Sequence, residues 1–350
     1  MAMDGMSKRP AATIKEVAAL AKVSQMTVSR VLNDQSAVRE STRKKVQAAI
    51  RQLNYRPNVM ARNLAGRTGM FIGLIYRNPS YGYLSEFLMG ALNACRELGH
   101  YLLVEEPFLD QDMVDLEKLE KQFLDTSIQA LIVVPPLSED PQLIDILKRT
   151  GISFICVSPK PDDFDISSVG MDDESASKEM TEYLMGLGHE RIGVITGPPD
   201  HRGSDLRYSG FQEAMRTAGR VIDKSIVLQG DFTYLSGMQS AEQLISMENA
   251  PTAIFASNDD MAAGAIAAAH RAGLRVPEDL SIVGFDDTPN ASAIWPPLTT
   301  VRQPIREMAR TAIETLANGG SPKPSTPTRQ SLDYEIVIRK SAAPPRGKGG

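Results

Sequence analysis

Five side chains on one short stretch have the types that read the edge of a nucleic-acid base. In "TIKEVAALAKVSQMTVSRVLN", residues 13–33, Gln25, Met26, Thr27, Ser29 and Arg30 interleave with the apolar positions Val28, Val31 and Leu32. Amide, hydroxyl and guanidinium groups match donors and acceptors in the DNA major groove, and methyl groups match thymine. A solvated helix face has a similar composition, so the pattern alone leaves both readings open. Charge weighs between them. The 350-residue chain carries a net −5, which by itself argues against a nucleic-acid binder. Yet residues 1–68 hold thirteen Lys/Arg and four Asp/Glu, a net +9, leaving −14 for the remainder. A basic head on an acidic body confines any polyanion partner to the head.

A second set of chemistry-bearing residues lies in the body, each group just after an apolar run. These are "NPSYGY" (78–83), "GPPDHRGSDLR" (197–207), "SNDDM" (257–261) and "DDTPN" (286–290). One Arg with several Asp and Asn side chains and aromatic faces suits a sugar, whose hydroxyls need paired polar partners and whose C–H faces stack on rings. Arg207 remains open as a structural ion pair, and Asn258 and Asp286 as turn caps. Trp295, before Pro296-Pro297, is expected to pack at a hinge rather than touch a ligand.

Other chemistries find no support. Asp286 and Asp287 are adjacent, and adjacent residues in extended chain point to opposite sides, so they make a poor acid pair. His100, His189, His201 and His270 show no ligand spacing and no Cys-x-x-Cys accompanies them, so no metal is expected. No Ser-His-Asp arrangement, Walker loop or post-strand G-x-G-x-x-G appears, so neither enzyme activity nor a cofactor is expected. His100 and His189 read as turn residues. Cys95 and Cys156 lie in apolar segments and read as two buried thiols, not a disulfide framework. No eighteen-residue apolar run and no signal peptide are visible, so a cytoplasmic protein without a membrane span is expected.

The elements that must position these groups follow from periodicity. Thr13 with Glu16 three residues on is a capping box, and Ile14, Val17, Ala18 and Ala21 follow at helical spacing. Ser24 starts a second helix with only Lys22 and Val23 between, which forces a sharp turn. A third helix is predicted over about 41–54, with Val46, Ala49, Ile50 and Leu53 inward. Pro57 ends that region, and Asn58 can cap a short segment closed by Gly66 and Gly69. So short a helix is marginal alone, and either a linker or a segment that folds against DNA fits it.

From Phe71 the period changes. Seven apolar runs (71–76, 101–106, 130–135, 153–158, 192–197, 253–257, 281–285) alternate with helical stretches, implying parallel sheets covered by helices. "LNACRELGHYLLV" (92–104) and "TEYLMGLGHERIGVI" (181–195) share the order helix, Gly-His turn, strand, which suggests two similar halves. Two doubly wound halves leave a cleft at the carboxyl ends of their strands.

"TIKEVAALAKVSQMTVSRVLN" followed by "VRESTRKKVQAAIRQLNYRPNVMARNLAGR" resembles the head of the lactose/galactose repressor (LacI/GalR) family of bacterial transcription regulators. The resemblance extends through "GPPDHRGSDLRYSGF", "NDDMAAGAI" and "PPLTTVRQP", covering about residues 13–304. It implies a second helix in the major groove, with Ser24, Met26, Thr27, Ser29, Arg30 and Asn33 reading, and Gln25 and Met26 choosing the operator. It places Tyr55 and Asn58 at the junction, and Leu64 and Ala65 in a hinge helix that enters the minor groove. Thr13 joins this DNA-facing set. In the body the resemblance implies an effector held by Arg207, Asn258, Asp286, Gln303 and Phe232, with Tyr81 a further candidate. One departure is "VSPKP", where Pro159 stands in place of an Asp that hydrogen-bonds the effector in a relative. Lys160 is the candidate replacement.

The expected architecture is therefore α/β: a three-helix helix-turn-helix head (12–57) after a disordered arm (1–11), a hinge helix (58–68), and a periplasmic-binding-protein-like body (69–340). Its two subdomains are expected to exchange chain near 167–171 and 296–303. The tail 341–350, rich in Pro, Gly and basic residues, reads as disordered. The expected function is a homodimeric repressor of carbohydrate genes on a palindromic operator, released by a small saccharide. A periplasmic-type sugar-binding protein without DNA function is the alternative, and a sugar enzyme the second rival.

Overall fold

The computed structural model describes residues 12–32, 38–53, 55, 69–107, 109–110, 113–159, 165–318 and 327–346. The arm, the hinge segment and Asn33, Asn58, Leu64, Ala65 and Lys160 lie outside these residues. The chain divides into two compact units, Met1–Thr68 and Gly69–Gly350.

In the head, α1 spans Ile14–Ala21, α2 Gln25–Leu32 and α3 Glu40–Leu53. Both arms of the capping box form. Glu16 N–H donates to Thr13 Oγ1 (3.3 Å), and Thr13 N–H donates to Glu16 Oε2 (2.6 Å). Lys22 takes a left-handed conformation (φ 56°) and its N–H closes on the carbonyls of Ala18 and Ala19, which stops α1. Ser24 Oγ accepts Thr27 N–H at 3.1 Å and starts α2. Val17, Ala18, Ala21, Val28, Val31, Val46 and Ala49 form the core, and their small size lets three short helices approach closely.

The body has two lobes, each built on a six-stranded sheet. The first sheet contains β1 (Phe71–Ile75), β2 (Tyr101–Glu105), β5 (Ala130–Val133), β6 (Ser153–Val157), β7 (Ser168–Gly170) and β13 (Arg329–Ser331), in the order β13-β7-β6-β5-β1-β2. The second contains β8 (Ile192–Thr196), β9 (Val227–Gln229), β10 (Ala253–Ala256), β11 (Ser281–Asp286), β12 (Thr299–Arg302) and β14 (Glu335–Val337), in the order β14-β12-β11-β10-β8-β9. Only β14 runs antiparallel to its neighbour within these two sheets. A two-stranded ribbon, β3 (Leu109–Asp110) with β4 (Met113–Val114), stands apart. The central strands β5, β10 and β11 are buried along their whole length, as sheets covered on both faces require.

The first lobe packs α4 (Tyr81–Leu98), α5 (Leu116–Asp125), α6 (Pro141–Thr150) and, from far along the chain, α12 (Ile305–Asn318). The second packs α7 (Asp173–Gly186), α8 (Arg202–Thr217), α9 (Tyr234–Ile245), α10 (Asp259–Arg271) and the short α11 (Pro289–Ala293). Both Gly-His turns serve as helix stops: Gly99 (φ 76°) after α4 and Gly188 (φ 98°) after α7. The chain passes between lobes three times: after β7, between β12 and α12, and between β13 and β14. The third passage has no counterpart in the sequence reading, because its two strands are three residues each.

The tail departs from what its composition suggests. Ser341 is fully buried; its Oγ accepts Thr299 N–H (2.8 Å) and donates to the Ile282 carbonyl (2.5 Å). The Ala343 carbonyl meets His189 Nε2 at 2.9 Å, and Arg346 pairs with Asp279 at 2.7 Å. Hydrogen bonds to the ends of the interior strands β11 and β12, among them Ile282 N–H to the Ser341 carbonyl (2.8 Å), override a Pro- and Gly-rich composition here. Trp295 also departs: it is 73% exposed, with the Lys340 ammonium 5.9 Å from its ring, rather than packed at a hinge.

Candidate functional site

The head presents one face of α2. Val28 and Val31 point into the core, so the 3.6-residue period leaves Gln25, Met26 and Arg30 exposed and Thr27 and Ser29 half-buried. Met26, an apolar side chain 65% exposed, has no core to fill. Ser24 and Thr27 hydroxyls lie 2.9 Å apart at the helix start, which fixes both. Thr13 is exposed beside its capping box, and Tyr55 is half-buried against the head core. Gln25, Met26, Thr27, Ser29 and Arg30 form a polar, methyl-bearing ridge on the short α2, the shape a major groove admits.

In the body a cleft of about 410 Å³, including its mouth, opens between the lobes. Arg207, Phe232, Asn258, Asp286 and Gln303 all line it. Arg207, on the second turn of α8, is 7% exposed, and its guanidinium is held on several sides. Its Nε donates to Asp173 Oδ1 (2.8 Å), its Nη1 donates to the Ser257 carbonyl (2.6 Å), and Asp286 Oδ1 lies 3.6 Å from Nη1. The guanidinium sits 3.8 Å from the centre of the Phe285 ring, with Phe232 at 5.9 Å on the cleft side.

Asn258 caps α10 and also holds the aromatic wall. Its Oδ1 accepts Met261 N–H (2.9 Å) and its Nδ2 donates to the Phe232 carbonyl (3.0 Å). Phe232 has φ 67°, unfavourable for a bulky residue, and this bond helps fix it there. Gly197 makes room for the ring, since a side chain there would run into it. Asp286, at the end of β11, also has positive φ (123°) and accepts Gln303 Nε2 at 2.6 Å. Its neighbour Asp287 turns the other way, to Arg302 (2.7 Å) and Arg339 (2.6 Å), so the two aspartates do not share a site.

Burial governs the electrostatics. Desolvation pushes the Asp286 carboxyl up to about 7, against the pull of Arg207 and Gln303. Burial raises Asp173 too, with Arg207 opposing. Asp259, behind the cleft, is raised well above its ordinary value by burial and by Asp286, although Thr300 and Thr288 bond it. His201 is driven the other way. Burial, and then the Arg207 charge, hold it down to about 3, so its imidazole is neutral at pH 7.

Tyr81 does not join this group. At 83% exposed it stands on the outer side of α4, whereas Ser80, the N-cap, and Tyr83 face the cleft. Two residues along a helix turn a side chain by about 200°, which is why Tyr83 takes the inward place when Tyr81 faces out. The cleft also contains Asn78, Ser80, Tyr83, Pro135, Ser158, Asp173, His201 and Gly203, none of which the sequence names individually as a ligand contact. Asn78, Ser80 and Tyr83 belong to a loop recognised as a candidate, and His201 and Gly203 to another. Asp173 lies in none of the stretches that the sequence marks as candidates. Among the described residues no group of His, Cys, Asp and Glu is placed to hold a metal, and no helix is long and apolar enough to cross a membrane.

Two doubly wound lobes joined by three passages, with a polar cleft between them, form a ligand-binding body; a helix-turn-helix unit with an exposed second helix is a DNA-binding head. Together they define a ligand-responsive transcription regulator. Residues 13–58 match the bacterial regulatory proteins of the lacI family, and residues 181–342 match the periplasmic binding protein-like domain. The HTH-type transcriptional repressor PurR of Aliivibrio salmonicida (strain LFI1238) is 34% identical over 334 residues, 94% of this chain and 98% of that one. A lac repressor dimer solved with operator and the anti-inducer ONPF superposes with a TM-score of 0.81 at 30% identity, covering 95% of this chain and 100% of that one. The regulator CelR, solved with cellobiose, gives 0.71 at 29% identity, again covering 95% and 100%. The chain belongs to the lacI family: it is a DNA-binding transcriptional regulator, not an enzyme.

Proposed function

We propose that this protein is a cytoplasmic repressor that binds a roughly palindromic operator as a homodimer and releases it when a small saccharide fills the cleft. The observation that carries the reading is that the cleft joins two lobes which already touch across it. Ser80 Oγ of the first lobe donates to Asp260 of the second (2.9 Å), and Arg202 N–H of the second donates to Glu139 of the first (2.8 Å). A ligand held by Arg207, Asn258, Asp286 and Gln303 against Phe232 bears on these contacts and so on the angle between lobes. The structures of relatives with operator and with cellobiose support the same reading.

In this proposal Gln25, Met26, Thr27, Ser29 and Arg30 read base edges, with Thr13, Ser24, Asn33, Tyr55 and Asn58 around them. Leu64 and Ala65 enter the minor groove, where an apolar wedge unstacks and bends the duplex. Two-fold symmetry of the dimer requires matching half-sites. Sugar and operator are then reciprocally coupled: a sugar that weakens operator binding is bound less well by the operator complex. The test is selection of an operator from a pool of inverted-repeat duplexes, followed by gel retardation with Arg30→Ala and Thr27→Ala. Each substitution is expected to weaken the selected duplex by about 1–3 kcal/mol if it reads a base. Unchanged affinity in both variants removes them from the interface, and a sugar that binds tightly without changing operator affinity refutes the switch.

A further inference from the structure

We infer that the cleft is built for an uncharged ligand, and that the His201 imidazole supplies the hydrogen bond by which it chooses among such ligands. This rests on the reading of the cleft as the effector site. Three observations lead to it.

The cleft's only lining cation among the described residues is already engaged. Arg207 directs Nε to Asp173 and Nη1 to the Ser257 carbonyl, with Asp286 3.6 Å away, and the Phe285 and Phe232 rings lie 3.8 and 5.9 Å from its guanidinium. An anionic ligand approaching it meets the carboxylates of Asp173 and Asp286 on the same wall, with Asp260 close behind at Ser80. In a desolvated site like charges repel strongly, and removing a phosphate or carboxylate from water demands a cation that is free to answer it.

Helix starts, the other common anion traps, are also occupied. Four helices begin at this cleft: α4, α7, α8 and α10. Ser80 Oγ accepts Tyr83 N–H, Asp172 Oδ1 accepts Ser175 N–H, and Asn258 Oδ1 accepts Met261 N–H. His201, the N-cap of α8, makes no side-chain cap, and the Glu139 carboxylate reaches across from the other lobe to take Arg202 N–H. A protein carboxylate therefore stands where a ligand anion would dock.

His201 is what remains unanswered. It is 8% exposed, lines the cleft, and packs edge-on against Phe232 with ring centres 5.0 Å apart. Its Nδ1 has no hydrogen-bond partner among the described residues. Gly203 lies against that edge of the ring, and a Cβ there would come within 3.2 Å of Nδ1, so the glycine gives the imidazole its place. A buried polar atom without a partner is unfavourable, and here it sits beside the aromatic wall of a ligand cleft. A hydroxyl or N–H of a neutral ligand satisfies it. The neutral ring offers an anion no positive charge to offset its desolvation.

The experiment uses the full chain and matched probes: glucose with glucose 6-phosphate, ribose with ribose 5-phosphate, galactose with galacturonate, and cytidine with its 5′-monophosphate. Thermal shift and calorimetric titration are expected to show a neutral member binding at least tenfold more tightly than its anionic counterpart. Saturable binding of an anionic member, or of inorganic phosphate, at equal or greater affinity overturns the inference. If the neutral binder is the nucleoside rather than a sugar, the saccharide reading fails and the charge inference stands. If an anionic sugar binds and releases the operator, the reverse holds. For the neutral binder, His201→Ala is expected to lose about tenfold in affinity, the worth of one hydrogen bond left unmade. His201→Asn, which keeps a neutral donor and acceptor, is expected to retain most of it. A structural role predicts equal loss for every neutral ligand. The proposed role predicts that His201→Ala no longer separates the ligand from the deoxy analogue lacking the bonded hydroxyl, and unchanged separation refutes it.

Discussion

The two lobes of the body share a plan and differ in what they bring to the cleft. Each has a six-stranded sheet and a helix stopped by a Gly-His turn. Yet the second lobe contributes Asp173, His201, Arg207, Phe232, Asn258 and Asp286, with Gln303 at its exit, while the first contributes Asn78, Ser80, Tyr83, Pro135 and Ser158. Charged groups lie on one wall, and the facing wall is neutral. The repeated histidines diverge as well. His100 accepts one backbone N–H, from Met70 (3.1 Å), whereas buried His189 meets Thr252, Ser281 and the Ala343 carbonyl at 2.9–3.1 Å and so ties down the tail. Duplicated topology supplies a scaffold twice, and specificity needs only one copy. The second lobe holds the chemistry in a preset geometry, and the first acts as a cover whose position reports occupancy.

The strongest challenge to this division is Arg207→Ala. It strips two buried carboxylates of their cation and is expected to destabilise the body by about 3–5 kcal/mol, seen as a large fall in Tm. A loss below 1 kcal/mol would show that Arg207 does not organise the second wall. Asp286→Asn comes next, with an expected loss of tenfold or more in ligand affinity and a changed pH profile. Asp286 lies at about 7 when folded and near 3.8 when unfolded, so its contribution to stability declines as pH rises through that window. His201, at about 3 folded and 6.5 unfolded, does the opposite: its contribution is present above 6.5 and lost toward pH 3. The two oppose each other between about pH 4 and 6.5. Removing Asp286 is expected to steepen the loss of stability on acidification, and an unchanged slope would remove it as a titrating group.

Asn258→Ala removes a helix cap and the bond to Phe232, and about 1–2 kcal/mol of stability should be lost, with ligand affinity falling because the aromatic wall is released. Retained affinity would make Asn258 a cap alone. Ser80→Ala tests the cover. It breaks the reach to Asp260, and about 1 kcal/mol or less is expected, with ligand affinity shifting while the second wall stays intact. The smallest effect belongs to Tyr81→Ala, within about 0.5 kcal/mol and without change in ligand affinity. A clear loss of affinity there would restore Tyr81 to the site and give the first lobe a larger share of recognition.

What was legible in the sequence follows a physical line. Helix and strand periods came through because burial imposes them, so the helix-turn-helix and all seven apolar strand runs could be read before any coordinates. Arg207, Asn258, Asp286, Gln303 and Phe232 were reached through resemblance and lie on one cleft. Side chains whose meaning depends on a partner far along the chain stayed hidden. Asp173 matters because Arg207, 34 residues later, points at it. His201 matters because a turn buries it beside Phe232, and no spacing rule for metal or catalysis covers that. The tail misled for a related reason: composition describes an isolated segment, and Ser341 is held by strands 42 and 59 residues earlier.

The order in which the chain passes between lobes bears on its birth as well as its action. The first lobe begins to leave the ribosome before the second, but its sheet stays half-dressed. Ile132, Ile155 and Val157 share one core with Ile305, Met308, Ala312 and Ile313 of α12, which follows every strand of the second lobe except β14 in the chain. At synthesis rates of about 5–20 residues per second, that greasy sheet face waits on the order of ten seconds for its lid. A ribosome-stalled chain ending at Gln303 should therefore be captured by chaperones that hold apolar surface, and one extended beyond Asn318 far enough for α12 to clear the exit tunnel should escape them. The lobe that serves as the cover in the finished protein is, during translation, the one left uncovered.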